Sequence, residues 1–360
     1  MQLEEFMKLG SGQAAPAPEA EPAGPESGLD FSTTLSPLGT PPAVQQAFAA
    51  GAQRLGAACT AEYDVLCRAL AAREHVPAGQ LVCGAGRGEL LRRLLVCIAP
   101  QRAVLPAPCP TAAEQVFAAM GCTVSRCMLW ETRGFAMGEA FPAAVNTETA
   151  LAYLPQPCDP TGLLASPELA FAILDKCARM GTYLIADESL LEFTDKPAEH
   201  SLLRYVPRYP NLIVLRSFSS IYAMPGAPLA YCVTSNPVLL EKLSALAVPP
   251  VLSAGVCLAG AAALQCREHL QRTRVLVHLE RPKLAAALRD AGLAVYESDA
   301  NFLLVRAERT DLAQALAAEG VRVKGCGGCA GLSDAYCRVA VRTAAENAVL
   351  VRAVRKVLAG

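Results

Sequence analysis

Short apolar runs alternate with amphipathic stretches of helix length from Leu29 to the C-terminus. The runs are rich in large and β-branched residues and predict strands, and the stretches between them repeat apolar residues at helical spacing. Because the runs are apolar at consecutive positions, we expect strands buried on both faces, as in a mostly parallel sheet covered by helices. The predicted strands are 102–107, 149–156, 182–188, 211–217 and 228–235, and two of the predicted helices are 111–120 and 167–180.

The C-terminal part of the chain has a different pattern. An alanine-rich connecting helix is predicted from 253 to 277 and on to 289. It is followed by predicted strands at 293–298, 301–307, 321–326 and 337–343 and by a closing helix at 345–358. The pattern therefore predicts a large α/β domain over 29–260 and a smaller α+β domain over 261–360. The segment 29–50 is compatible with packing against the small domain.

Residues 1–28 differ from the rest of the chain. They are rich in Ala, Pro, Gly and Glu and offer little apolar surface to bury, which predicts a disordered tether. Residues 2–9 within it are compatible with a short amphipathic helix.

Composition and charge exclude several classes of protein. The chain has 360 residues, and a hydrophobic fraction of 53% is enough for a large buried core. A formal net charge of -1, with interspersed charges, gives no electrostatic reason to expect nucleic acid or an anionic membrane as a partner. No apolar run reaches the roughly 18–20 residues of a spanning helix, and the N-terminus lacks the order of a signal peptide. We therefore expect a cytoplasmic globular protein.

Fifteen cysteines are scattered through apolar runs, which indicates reduced, buried thiols rather than a disulfide framework. The tightest group is Cys326, Cys329 and Cys337. A structural zinc site normally needs four ligands, and no histidine follows His278. We therefore predict no metal site and interpret the group as core or turn cysteines, with redox or metal use as the open alternative.

Six segments carry the candidate chemistry. They are LDFSTTLSPLG (29–39), LVCGAGRGELL (81–91), PCDPTGLL (157–164), LIADESLLEF (184–193), VLRSFSSIYAMPGAPLAY (214–231) and CRVAVRT (337–343). In this order and spacing the chain resembles the fold-type-I pyridoxal-phosphate-dependent aminotransferases of class I/II, in particular the threonine-phosphate decarboxylases of cobalamin biosynthesis and the histidinol-phosphate aminotransferases. The resemblance implies a three-layer α/β/α large domain with a mostly parallel sheet, and a smaller α+β C-terminal domain.

The resemblance assigns roles to several residues that this chain keeps. Asp187 corresponds to the carboxylate that holds the pyridine nitrogen protonated, with capping of the following turn as the alternative. Ser217 corresponds to a phosphate-binding hydroxyl, with a turn-forming serine as the alternative. Arg338 and Arg342 correspond to substrate-binding arginines, and Arg342 is preferred for a carboxylate. Ordinary structural salt bridges are the alternative for both arginines.

At five further positions the chain departs from the family pattern. Ser220 replaces the Schiff-base lysine, and Pro228 replaces the arginine that clamps the cofactor phosphate. A serine hydroxyl cannot form an imine, and proline has neither charge nor an N–H group. The phosphate hydroxyl falls on Gly88 and the stacking aromatic residue on Pro110. The asparagine donor is Asp159, whose carboxylate would meet a phenolate oxygen with like charge.

Few residues are available to compensate for these losses. The backbone N–H groups of Gly86, Arg87 and Gly88 begin a predicted helix and can bind an anion. Arg87 either supplies the charge missing at Pro228 or is a solvated residue at a helix start. The family's tyrosine-containing loop retains only Tyr63. No lysine is placed to replace the missing one, because Lys176 and Lys196 lie on a helix and a loop that flank the strand of Asp187, and Lys324 lies in a predicted strand.

Three hypotheses follow for function. The first is a degenerate family member that binds pyridoxal phosphate weakly or not at all and is retained for binding a partner or a small anionic ligand, as a homodimer or as a heterodimer with a related chain. The alternative is a divergent, active aminotransferase or amino-acid-phosphate decarboxylase, with Arg87 as clamp, Tyr222 for proton transfer and Cys109 near the cofactor ring. The third is a thiol-based role of Cys326 and Cys329.

Overall fold

The computed structural model describes residues 28–54, 56–247 and 252–359. Apart from Gly28, the predicted tether and its predicted helix at 2–9 lie outside the described residues. Within the described ranges, no helix is both long enough and apolar enough to cross a membrane.

A seven-stranded sheet forms the centre of the large domain. Its strands are β2 (Leu81–Gly84), β3 (Arg102–Ala107), β4 (Thr123–Met128), β5 (Leu151–Pro155), β6 (Tyr183–Asp187), β7 (Leu212–Ser217) and β8 (Ala230–Val233). They lie in the order β2-β8-β7-β6-β5-β3-β4. β8 is antiparallel to both of its neighbours, and the other neighbouring pairs are parallel. This is the mostly parallel sheet that the apolar runs predict.

Side chains of the central strands alternate between two apolar layers. In β5, Leu151 and Tyr153 belong to one buried cluster, and Ala152 and Leu154 belong to the other. The helices of this domain are α1 (Pro42–Ala52), α2 (Thr60–Glu74), α3 (Arg87–Ile98), α4 (Thr111–Ala119), α5 (Ala140–Ala144), α6 (Pro167–Met180), α7 (Pro197–His200) and α8 (Pro237–Ala245). Because both faces of the sheet are covered at its centre, the central strands need apolar residues at nearly every position, whereas the edge strand β4 carries exposed polar residues.

Two helices, rather than one, lead to the small domain. α9 (Ala254–Gln265) and α10 (Arg267–Asp290) are separated at Cys266, whose ψ of 50° lies outside the helical range. α9 packs closely on α1, where a Cβ added to Gly51 would lie 2.2 Å from the Cα atom of Gly255. The prediction of one helix from 253 to 289 is wrong at this junction, because α9 is held in the large domain while α10 continues into the small one.

The small domain is built on an antiparallel sheet of β9 (Ala294–Val295), β10 (Phe302–Arg306), β12 (Lys324–Gly325) and β13 (Tyr336–Ala340). The helices α10, α11 (Leu312–Ala318) and α12 (Ala344–Ala359) supply apolar residues to its core. β1 (Leu29–Asp30) pairs in parallel with β11 (Val321–Arg322), and Phe31 is fully buried in the same core. The start of the described chain therefore completes the small domain, whereas α1 packs in the large one.

Candidate functional site

The carboxyl ends of the parallel strands bring several of the predicted site residues to one edge of the large sheet. Asp187 is the last residue of β6, and Ser217 is the last residue of β7. Gly86, with Arg87 and Gly88 at the start of α3, follows β2 at the same edge. Open α/β sheets bind ligands outside the carboxyl ends of their strands. This edge is therefore the candidate site.

The loop before α3 lies against the position of the missing clamp arginine. Gly86 has a φ of 92°, in the left-handed region that favours glycine. A Cβ added to Gly86 would lie 3.2 Å from the Cβ atom of Pro228. Apart from Gly88 itself, its chain neighbours and the nearby backbone of its own helix, no described heavy atom lies within 4 Å of a Cβ added to Gly88. The structure thus brings Gly86 and Pro228 together and leaves open space beside Gly88, and their use in phosphate binding stays a prediction.

The carboxylate of Asp187 is buried and accepts hydrogen bonds from three groups of the protein. The residue is 2% exposed. Its Oδ1 accepts from the backbone N–H of Ser189 at 3.1 Å, and its Oδ2 accepts from the hydroxyl of Tyr153. Nη1 of Arg87 donates to the same Oδ2 at 3.3 Å and forms an ion pair. The atoms that the resemblance assigns to the cofactor nitrogen are therefore already engaged.

The side chain of Arg87 reaches from the start of α3 to the end of β6. It is the first residue of α3, beside Gly86, and its guanidinium reaches Asp187 on the neighbouring part of the sheet edge. Burial alone lowers the pKa of Arg87, but Asp187 and other nearby groups outweigh this effect and raise it above its usual value. The interpretation of Arg87 as a solvated residue is therefore wrong, because the side chain is 29% exposed and ion-paired. In this pair the guanidinium contacts Asp187 rather than Pro228, and its use as a phosphate clamp stays a prediction.

A second guanidinium–carboxylate pair joins the two domains. Nη1 of Arg338 donates to Oδ2 of Asp159 at 2.6 Å, and Nη2 donates to the backbone oxygen of Ser32 at 2.6 Å. The two side chains are 13% and 15% exposed. The guanidinium carbon of Arg338 also lies 5.4 Å from the ring centroid of Phe302. Asp159, at the position of the family's asparagine, thus neutralises one of the two predicted substrate arginines.

Arg342 lies beyond the end of β13, although the sequence predicts a strand over 337–343. Its Nε and Nη2 donate to Oε1 of Glu346 at 2.9 and 2.7 Å, and its Nη1 donates to the backbone oxygen of Asp30 at 3.1 Å. The strand prediction is wrong at this end, because the chain leaves the sheet after Ala340 and turns into α12, which carries Glu346. The contact matches the alternative of a structural salt bridge, and binding of a substrate by Arg342 stays a prediction.

The segment at the missing lysine forms a turn. The backbone oxygen of Ser220 accepts from the N–H of Ser36 at 2.8 Å. The hydroxyl of Ser217 accepts from the N–H of Ser219 at 3.2 Å, which is the contact of a turn-forming serine. Both serines are half-buried. A role of Ser217 in phosphate binding stays a prediction.

Two tyrosines of the sequence prediction are engaged with other groups. The hydroxyl of Tyr222 accepts from Nη1 of Arg73 at 3.0 Å, on α2. Burial is the main cause that raises the pKa of Tyr222. The hydroxyl of Tyr63 accepts from the backbone N–H of Cys83 at 3.3 Å. The structure therefore gives no contact between these tyrosines and Asp187.

The thiols and lysines that were candidates for chemistry differ in their surroundings. Burial is the main cause that raises the pKa of Cys109, and it raises the pKa of Cys158 to about 12. Cys337 belongs to the core of the small domain, apart from the cluster that contains Cys326. Within the described residues, no group of three or more His, Cys, Asp or Glu side chains is arranged to hold a metal ion. Lys196 and Lys324 are exposed, and Lys176 is half-buried.

Tyr153 is the site residue that the sequence does not reveal. Its ring lies in the apolar layer beside Phe117, with ring centroids 5.8 Å apart, and only its hydroxyl reaches Asp187. A tyrosine in an apolar strand is typical of a core position. The pairing of β5 with β6 brings it to the carboxylate, and no local pattern predicts that contact.

Solved structures match this architecture over nearly the whole chain. The histidinol-phosphate aminotransferase from Clostridium acetobutylicum has a TM-score of 0.85 and 23% identity, covering 91% of this chain and 98% of that one. The histidinol-phosphate aminotransferase from Sinorhizobium meliloti, solved in complex with pyridoxal-5'-phosphate, has a TM-score of 0.82 and 21% identity, covering 92% and 91%. The predicted fold is confirmed: the chain has the architecture of the fold-type-I pyridoxal-phosphate transferases.

Sequence comparison places the chain in a family. The profile described as "Aminotransferase class I and II" matches residues 28–354. The threonine-phosphate decarboxylase of Salmonella typhimurium is 33% identical over 339 residues, which cover 93% of this chain and 93% of that protein. The chain therefore belongs to the aminotransferase class I and II family, as the resemblance predicts. The family depends on pyridoxal phosphate.

Proposed function

We propose that this chain is a non-catalytic member of the aminotransferase class I and II family, in which Arg87 replaces pyridoxal phosphate as the partner of Asp187. The observation that carries the proposal is the ion pair of 3.3 Å between Nη1 of Arg87 and Oδ2 of Asp187. With Ser220 in the lysine position, the chain offers no amine there for a Schiff base. The residues present therefore do not fit the cofactor.

The missing contacts lower the affinity that we expect of this chain for pyridoxal phosphate. Each missing contact to the cofactor is worth about 1–3 kcal/mol, and micromolar affinity corresponds to roughly 8 kcal/mol. Five positions lack the group that the resemblance implies, namely Gly88, Pro110, Asp159, Ser220 and Pro228. Displacing Arg87 adds a further cost, because Asp187 is almost fully buried. We therefore expect weak binding of pyridoxal phosphate or none.

We propose that the chain is retained because it binds a protein partner rather than a small anion. The arginines suited to an anion are each paired with a carboxylate: Arg87 with Asp187, Arg338 with Asp159 and Arg342 with Glu346. A small anion would have to compete with these carboxylates. A second copy of this chain or a related family member is the partner we propose, to be tested by measuring the molar mass of the chain alone and mixed with an active relative. A strictly monomeric chain in both samples would contradict this part.

The cofactor proposal is tested by rebuilding the site in two stages. Ser220→Lys with Pro228→Arg restores the amine and the clamp, and adding Arg87→Ala frees Asp187. We expect no lysine-bound cofactor spectrum from the wild type, little from the double variant, and a visible band that borohydride reduces from the triple variant. The matched control replaces Arg87→Ala by Arg92→Ala, an exposed arginine of the same helix. A strong reducible band in the wild type would refute the proposal.

The alternative of a divergent active enzyme is supported by the identity of 33% to a threonine-phosphate decarboxylase along almost the entire chain. It requires Arg87 to leave Asp187 and hold the cofactor phosphate near Pro228. The discriminating experiment assays decarboxylation of threonine phosphate and transamination of histidinol phosphate with added cofactor. The alternative predicts activity that Arg87→Ala abolishes, whereas our proposal predicts none in either protein.

A further inference from the structure

The turn between β12 and β13 brings the backbones of two cysteines close together. The backbone N–H of Cys329 donates to the backbone oxygen of Cys326 at 2.9 Å, which closes a β-turn over Gly327 and Gly328. The end residues of a β-turn have Cα atoms less than about 7 Å apart, which overlaps the range of about 4.4–6.8 Å in disulfides. A Cβ on Gly327 would lie 1.7 Å from Oδ1 of Asp334, so the side chain of Asp334 would have to move to admit a larger residue. The turn therefore holds the backbones of the two cysteines close together.

The two thiols have different access to solvent. Cys326 is 1% exposed, in the cluster with Tyr336 and Cys158. Cys329 is half-buried, in a turn whose neighbour Gly328 is exposed. A small reagent can therefore reach Cys329 before it reaches Cys326.

Cys329 lies where a thiolate is stabilised. Its Sγ is 3.5 Å from Oγ1 of Thr111, the first residue of α4, and a hydrogen bond from this hydroxyl contributes to lowering the pKa of Cys329. Hydrogen bonding from the Cys326 thiol is the main cause that lowers the pKa of Cys329, to about 7. The same interaction, together with burial, raises the pKa of Cys326. The positive charge of Arg338 favours the Cys329 thiolate, and the negative charge of Asp159 opposes it.

We propose that Cys326 and Cys329 form a thiol–disulfide exchange site for small disulfides, with Cys329 as the attacking thiolate and Cys326 as the resolving thiol. Cys329 attacks one sulfur of the substrate, the substrate S–S bond breaks, and the first thiolate leaves. Cys326 then loses its proton to solvent and attacks the sulfur of Cys329, which releases the second thiolate and forms the Cys326–Cys329 disulfide. The released thiolates take up two protons, so the substrate gains the two electrons that the dithiol loses. A dithiol reductant reverses the reaction.

This site does not depend on the proposed loss of cofactor binding. It also differs from a metal site, because within the described residues no third ligand joins the pair and Cys337 is buried in a separate core cluster. A second close thiol pair exists at Cys67 and Cys83, whose sulfur atoms are 3.8 Å apart. The experiment must therefore show which of the two cysteine pairs reacts.

The test treats the full native chain with a chromogenic aromatic disulfide and follows thiol release and protein mass. We expect a fast phase that releases two equivalents, a loss of two hydrogens with no retained adduct, and a disulfide that peptide mapping assigns to Cys326 and Cys329. The fast phase should be about tenfold faster than the next cysteine at neutral pH, because a thiol of pKa about 7 is about half ionised there. Its rate should rise with pH through that value.

Variants assign the two roles. Cys326→Ser keeps a hydroxyl that can donate to the Cys329 thiolate, so it should release one fast equivalent and retain the aromatic adduct on Cys329, and Cys329→Ala should lose the fast phase. Cys158→Ala is the matched control, and its fast phase should be unchanged. Mapping of the fast disulfide to Cys67 and Cys83, or a stable adduct on Cys329 in the wild type, would overturn the proposal. The wild-type mapping decides the question even if a variant fails to fold.

Discussion

Two adjacent carboxylates at the end of β6 are stabilised in very different ways. Asp187 has a single arginine, Arg87, which contacts it at 3.3 Å. Glu188 belongs to a buried network in which Arg216 bonds its Oε2 through Nε at 3.1 Å and through Nη2 at 2.8 Å. Nη1 of Arg216 also donates to Glu74 at 2.8 Å. The guanidinium of Arg216 thus bridges two carboxylates, whereas Arg87 makes one long contact.

The difference extends to the neighbouring groups. Glu188 is fully buried, and its oxygens also accept from the hydroxyl of Ser201 at 2.8 Å and the N–H of Leu202 at 2.7 Å. Tyr231 donates to Glu74 at 2.7 Å. Buried charges are tolerated when they are paired and hydrogen-bonded in this way. The Glu188 network therefore has the features of a structural element, whereas the ion pair of Asp187 with Arg87 is a single, longer contact.

The largest expected effect is at Arg216. Arg216→Met leaves the buried carboxylates of Glu188 and Glu74 without this cation, so the free energy of unfolding should fall by about 3–5 kcal/mol. Urea unfolding measures the loss. Arg352→Met, at an exposed position of α12, is the control and should change stability by less than about 0.5 kcal/mol. An equally small change at Arg216 would remove the contrast between the two carboxylates.

A smaller loss is expected at Arg87. In Arg87→Gln, Asp187 keeps the bonds from Tyr153 and Ser189, so the free energy of unfolding should fall by about 1–2 kcal/mol. The same urea titration applies, with Arg92→Gln as the exposed control on α3. If Arg87→Gln lowers the free energy of unfolding as much as Arg216→Met does, the pair of Arg87 with Asp187 is as structural as the Glu188 network.

The smallest loss of unfolding free energy is expected for the ion pair of Arg342 and Glu346. Burial acts to raise the pKa of Glu346, but hydrogen bonds from Arg342 and Thr343 outweigh it and lower the pKa below its ordinary value of 4.5. A lowered pKa contributes stability above the ordinary value, and this contribution is lost as the pH falls through the lowered value. Glu346→Gln should therefore cost less than about 1 kcal/mol at neutral pH.

Unfolding curves of the wild type and Glu346→Gln at several pH values check this prediction. The difference between them should be present at neutral pH and should fade below 4.5. A difference that grows on acidification would have the opposite sign to the one expected from the lowered pKa of Glu346.

Much of the fold was predictable because its cause is local. The central strands β5 and β6 are apolar at nearly every position, and β3 and α6 occupy the segments 102–107 and 167–180 that the pattern predicts. The break at Cys266 was not predictable, because the helical pattern continues across it and packing of α9 on α1 decides where the chain turns. The end of β13 before Arg342 has the same kind of cause, since the interaction with Glu346 belongs to the next element.

The candidate site was predictable in its positions but not in its contacts. By itself the sequence determined the family, the loss of the lysine at Ser220 and the loss of the clamp at Pro228, because these depend on residue identity. Tertiary structure alone decided that Arg87 pairs with Asp187 and that Arg338 pairs with Asp159 across the domains. The physical reason is that an arginine has a long, flexible side chain, so its partner depends on which carboxylate the packed elements bring within reach.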